Sequence, residues 1–175
     1  SYGNAPTSRS KVLRFLIILL TVGLLFALNP LKNSIESMLK IVHAILLVNN
    51  HYALQLRDNK PTIPVPGKWS LFGGAVEDGE DPLCGVKREI EEELCLRPAK
   101  FLFLWDYRRL HETGVMAKYH FFEADVTLLW EQHKLMEGQA AQYFNFKDLK
   151  GLDMPPFIQE ILHRHYTKRI FPNLS

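Results

Sequence analysis

Glu89, Glu92 and Glu93 stand at positions i, i+3 and i+4 of one predicted helix, so their carboxylates share a face. Like charges at these spacings each cost an isolated helix roughly 0.3 kcal/mol, and the cluster therefore asks for a compensating cation. An all-oxygen donor set suits magnesium, manganese or calcium rather than zinc. A catalytic magnesium keeps water ligands and shares its coordination with substrate phosphates, which points to phosphate chemistry. The competing reading is a solvated acidic helix face, the commoner fate of a glutamate run. Cysteine chemistry is a poor rival. A helix carrying both Cys84 and Cys95 would hold them roughly 16 Å apart, too far for a disulfide. No Cys-x-x-Cys pair occurs, and His163 and His165 fall on different helix faces, which argues against structural zinc.

The elements that must position these carboxylates are legible around them. Leu83, Val86, Ile90 and Leu94 recur at helical spacing and predict a buried stripe on a helix over Pro82–Leu94, with Asp81 as its cap and Pro82 at its first position. Ile41 to Val48 and Tyr52 to Arg57 read as a strand hairpin around Asn49-Asn50-His51. A Pro-rich loop runs from Pro61 to Gly67, followed by a short strand, Trp69 to Phe72, that ends in Gly73-Gly74. Phe101 to Tyr107, Met116 to Val126 and Gln142 to Phe146 read as further strands, and Pro156 to Tyr166 as a closing helix. Strands with one central and one terminal helix make an α+β pattern rather than regular βαβ alternation.

From Gly74 to Leu96 the sequence resembles the Nudix box, G-x5-E-x7-R-E-U-x-E-E-x-G-U, where U is a bulky aliphatic. Gly74, Glu80, Arg88, Glu89, Ile90, Glu92, Glu93 and Leu96 match in register, and Cys95 stands where the family carries Gly. If the helix ends there in a left-handed conformation, a non-Gly residue costs about 1 kcal/mol. The resemblance implies a Nudix fold, a mixed β-sheet sandwiched by helices, over residues 38–175. It implies a pyrophosphohydrolase whose cofactor is magnesium, with manganese as a substitute. Metal would be held by Glu89, Glu92 and Glu93 with Gly74. Arg88 would orient the glutamates with Glu80 as its partner, and catalysis would rest on Glu92, Glu93 and Arg88. Gly73 and Gly74 would bring the backbone close to substrate phosphate.

Outside the box, Met136-Glu137-Gly138-Gln139 resembles a Glu-Gly-Gln segment of a bacterial family member specific for oxidised guanine nucleotides, which makes Glu137 the expected base or extra ligand. Glu123 and Asp125, alternating on the preceding strand, are its rivals. The Pro155-Pro156 segment resembles the same member's, but Ile158 stands where that enzyme reads the base with Asn. Arg57 and Tyr107 are the expected substrate contacts beside the glycines. Trp69 and Phe72 read as core aromatics rather than stacking platforms.

The partner implied is a small diphosphate: a nucleoside diphosphate linked to another moiety, such as a nucleoside triphosphate or nucleotide sugar. With a formal net charge of +2 and no long basic run, nucleic acid is not an expected partner. The alternative is a nucleotide-binding or regulatory module that keeps the fold without turnover. Residues 1–37 form a separate apolar segment, nearly uninterrupted from Val12 to Leu28. As a helix that run spans about 26 Å, just under a bilayer's hydrocarbon core. It reads as a membrane anchor, as a packing or homodimerising helix, or as a secretory signal. The protein is accordingly expected to be cytoplasmic or membrane-anchored.

Overall fold

The computed structural model describes residues 38–172. The apolar run 12–28, and every reading of it, lies outside these residues. Its elements are β1 (Leu39–Val48), β2 (His51–Leu56), β3 (Trp69–Ser70), α1 (Pro82–Leu94), β4 (Leu102–Leu110), β5 (Met116–Asp125), β6 (Ala140–Phe144) and α2 (Pro156–Ile170). Short 3-10 turns occupy Trp130–Gln132 and Phe146–Gly151. The sheet runs β3-β2-β1-β5-β4, with β6 also paired to β2. Only the β1–β5 pairing among its ladders is parallel. Among the described residues no helix is long and apolar enough to cross a membrane.

β1 is central and apolar on both faces, as a strand covered from both sides must be. Ile41, Ile45 and Leu47 pack toward α2, meeting Ile158, Ile161 and Leu162. Val42, Ala44, Leu46 and Val48 pack toward α1, meeting Val86, Ile90 and Leu94. The hairpin between β1 and β2 turns on Asn49 (φ 49) and Asn50 (φ 66), a pair of left-handed residues that asparagine tolerates well. His51 already belongs to β2.

Several boundaries differ from expectation, each for a local reason. β6 ends at Phe144 because Phe146 opens a 3-10 turn. β3 has only two paired residues, and Phe72 instead bridges Ala44 of β1. A bulge between Phe103 and Trp105 lets β4 continue to Leu110, which carries Arg108 and Arg109 into the strand. Leu83 is 36% exposed because it sits in the first helical turn, over a shallow cleft shared with Phe103 and Phe122. Cys95 lies beyond α1 as its left-handed cap (φ 55, ψ 26), and both cysteines are free and exposed.

Candidate active site

Helix α1 begins where Asp81 accepts a hydrogen bond from the Leu83 N–H at 2.8 Å, with Pro82 in the first turn. The Gly73-Gly74 loop is stitched to β1 just before it. Ala44 N–H donates to Phe72 O and Val42 N–H to Gly74 O, both at 2.9 Å. Gly73 has φ 131, and a Cβ there would lie 2.1 Å from Val42 O, so only glycine fits. A Cβ on Gly74 would lie 2.7 Å from a Glu89 carboxylate oxygen. Loop and helix thus meet at the Glu89 carboxylate, which would have to shift to admit a side chain at Gly74.

Glu93 is 4% exposed and turned inward. One carboxylate oxygen accepts from Gly73 N–H at 2.9 Å and the other from Gln55 Nε2 at 3.0 Å. Burial pushes its pKa up to about 8, against the pull of those two hydrogen bonds. Glu89 is partly buried and is also raised, by burial first, with Arg88 opposing. Glu92 is exposed. One Arg88 nitrogen donates to Glu89 at 2.9 Å and to Glu92 at 3.1 Å. The rest of that guanidinium forks onto Glu80 with two 3.0 Å bonds and reaches Ala75 O. The bond from Arg88 holds Glu80 below the usual carboxylate range.

Arg88 thus contacts Glu80, Glu89 and Glu92, the residues it was expected to orient or pair with, whereas Gly73, expected beside substrate phosphate, gives its N–H to Glu93. A preformed metal cage is not visible: among the described residues no three acidic, His or Cys side chains converge as one. Arg88 occupies Glu89 and Glu92, while Gly73 and Gln55 occupy Glu93.

Glu137 lies on a loop that folds over the end of α1. Lys134 N–H donates to Leu94 O and Met136 N–H to Glu93 O, both at 2.9 Å, which satisfies carbonyls the helix leaves open. Past it, Gln139 N–H reaches Leu56 O at 2.7 Å. Glu137 is exposed, and its charge contributes to raising both Glu89 and Glu93. The rivals are engaged elsewhere. Glu123 is bonded to His165 at 2.6 Å on the α2 side of the sheet, and Asp125 accepts from Thr127 N–H at 2.8 Å.

On the α2 side, the glycine loop borders a cleft of about 330 Å³ walled by His43, Arg57, Arg109, Tyr119, Phe157 and Ile158. Arg57 is where a substrate contact was expected. Tyr107 is not on that wall: its ring packs on Phe157 at 5.4 Å and its hydroxyl donates to Glu160. Arg109, two residues on, does line that wall, 4.3 Å over the Phe157 ring. Trp69 meets Phe144 edge-on at 4.9 Å and Phe72 is fully buried, so both are packing residues. Gln55 and His43 were missed. The signal for each was a polar residue inside an otherwise apolar strand. Burial lowers the His43 pKa to about 4, which keeps it neutral at physiological pH.

The sequence profile of the NUDIX domain matches residues 38–165. The chain belongs to the NUDIX domain family. With every charged position of the Nudix box in place, it is a Nudix pyrophosphohydrolase. Among similar solved structures is the MutT protein from Methanosarcina mazei Go1, with 20% identity and a TM-score of 0.66, covering 75% of this chain and 95% of that one. The NUDIX domain of Shewanella oneidensis NrtR, complexed with ADP ribose, has 15% identity and a TM-score of 0.64, covering 75% and 88%. A C. elegans Ap4A hydrolase has 15% identity and a TM-score of 0.58, covering 74% and 98%. At these identities the likeness is one of fold. No curated protein sequence matches the chain.

Proposed function

We propose that this Nudix hydrolase cuts a diphosphate bond in a nucleoside diphosphate linked to a second moiety, with divalent cations held by Glu89, Glu92 and Glu93. The observation that carries the reading is the position of these carboxylates. They lie against a glycine loop that borders a cleft furnished with Arg57, Arg109, Tyr119 and Phe157. The donor set fits magnesium or manganese. Glu89 and Glu93 are oxygen donors set close enough that the charge of Glu89 helps to raise Glu93, and Gly74 lies directly against the Glu89 carboxylate.

Bound magnesium would neutralise charge on the diphosphate and acidify an attacking water. The chain's own residues do the rest. Gly73 N–H and Gln55 fix the Glu93 carboxylate, and Arg88 fixes Glu89 and Glu92. Glu137 takes a proton as water oxygen bonds to phosphorus, and the bridging P–O bond breaks to release a phosphate-terminated product. Arg57 and Arg109 face the anionic substrate, while Tyr119 and Phe157 offer apolar walls to its base or second moiety.

The test is incubation with magnesium and a panel of nucleoside triphosphates, nucleotide sugars and dinucleotides, with products resolved by chromatography. Magnesium-dependent release of a monophosphate product supports the reading. Tight nucleotide binding without product from any panel member would identify a silent binding module instead.

A further inference from the structure

The β4–β5 hairpin carries two rows of side chains, on the sheet face turned toward α1, that neither the fold nor the proposed reaction uses. In the outermost row Leu110 of β4 stands opposite Met116 of β5, 58% and 49% exposed, with Val115 beside them in the turn at 50%. One step inward on the same face, Arg108 of β4, Lys118 of β5 and Lys40 of β1 lie directly across from one another over three adjacent strands. Like charges placed opposite each other on a sheet are destabilising in water. Only Lys118 has an acidic partner among the described residues, Asp106 at 2.6 Å. The carboxylate of the turn, Glu112, is drawn away from this row by Arg109 and His111.

An apolar tip backed about 7 Å away by a belt of cations is the arrangement that suits the boundary between acyl chains and anionic headgroups. The connection of the chain points the same way. Leu39, the first residue of β1, is in register with Ala117, the neighbour of Met116. Upstream of it, Asn29 to Met38 spans at most about 35 Å when extended and leads back to the apolar run Val12–Leu28, itself preceded by Arg9 and Lys11.

We infer that the β4–β5 hairpin docks on an anionic lipid surface, with Leu110, Val115 and Met116 in the interface and Arg108, Lys118 and Lys40 at the headgroups. The opposite face of the same hairpin contributes Arg109, His111 and Glu112 to the substrate cleft, and Leu39 lines it as well. Docking therefore sets the mouth of the cleft beside the bilayer. The docking itself does not depend on which diphosphate is cut.

The test uses the full chain in nanodiscs of phosphatidylcholine with or without phosphatidylglycerol. A spin label is placed by Val115→Cys on a Cys84→Ser, Cys95→Gly background, with Gln142→Cys on the exposed part of β6 as control. In anionic discs the label at 115 should collide several-fold more with oxygen than with an aqueous nickel chelate, relative to the control. Lys40→Glu with Arg108→Glu should shift it back toward water. Equal accessibility at 115 and 142 would overturn the inference, as would a chain that stays outside the disc. Spin–spin broadening between two labelled chains would overturn it in favour of a second copy covering the tip. Nucleotide hydrolysis, assayed on the same samples in detergent, separates these outcomes from any failure of the proposed reaction.

Discussion

Gly73 donates its backbone N–H to the carboxylate of Glu93 at 2.9 Å, and through that bond the glycine loop and helix α1 share one buried acid. Burial dominates this acid despite the bond, and its pKa rises to about 8.

A pH dependence of stability follows. The folded pKa of Glu93 is raised above the ordinary carboxylate value of 4.5. Its contribution is thus fully present below about pH 4.5, declines as pH rises, and is lost once pH passes about 8. In chelator, Glu93→Gln should gain on wild type by roughly 2 kcal/mol or more between pH 5 and 8. Parallel denaturation curves across that range would show that Glu93 is ionised in the metal-free fold. Added magnesium should restore the wild type at high pH and leave the variant unmoved.

For the base, Glu137→Gln should lower kcat by at least about tenfold with KM little changed, the mark of an interaction made mainly in the transition state. Glu123→Gln and Asp125→Asn should keep wild-type turnover, because His165 and Thr127 already engage those carboxylates. Loss of turnover in either strand variant, with Glu137→Gln unaffected, would move the base to β5.

Cys95→Gly should stabilise the domain by about 1 kcal/mol, since the cap is left-handed and glycine adopts that conformation without a Cβ penalty. The gain would appear as a midpoint a few degrees higher in thermal unfolding. Unchanged kinetics would accompany it, because Cys95 is exposed and supplies no ligand.

In the cleft, Arg57→Ala should raise KM by about tenfold through loss of a cation facing the substrate. Tyr107→Phe should leave KM alone, because that hydroxyl reaches Glu160 outside the cleft. Steady-state kinetics on the preferred panel substrate decides between them.

The parts of this site that were legible in sequence are those fixed by local rules. Asp81-Pro82 starts the helix, the Glu89–Glu93 spacing gathers the acids, and Asn49-Asn50 turns the hairpin. Gln55 and His43 were not legible as site residues, because their roles depend on which strands become neighbours. Gln55 meets Glu93 only through packing of β2 against α1, across residues far apart in the chain. Tyr107 and Arg109 share a strand face, so spacing alone could not tell which would reach the cleft. Tyr107 sends its hydroxyl to Glu160, whereas Arg109 lies over Phe157 on the cleft wall.

The parallel ladder between β1 and β5 also governs the order in which the protein can form. Leu39 must wait for Ala117, and Leu47 for Asp125, so one long edge of the most apolar strand stays unpaired through synthesis of everything between. Hairpin β1–β2 and the nascent box helix can assemble early from neighbouring contacts, whereas sealing the sheet pays the loop-closure entropy of the whole intervening segment at once. Folding should therefore be limited by that late event. Until it occurs, the emerging chain presents an open strand edge on which off-pathway aggregation would begin.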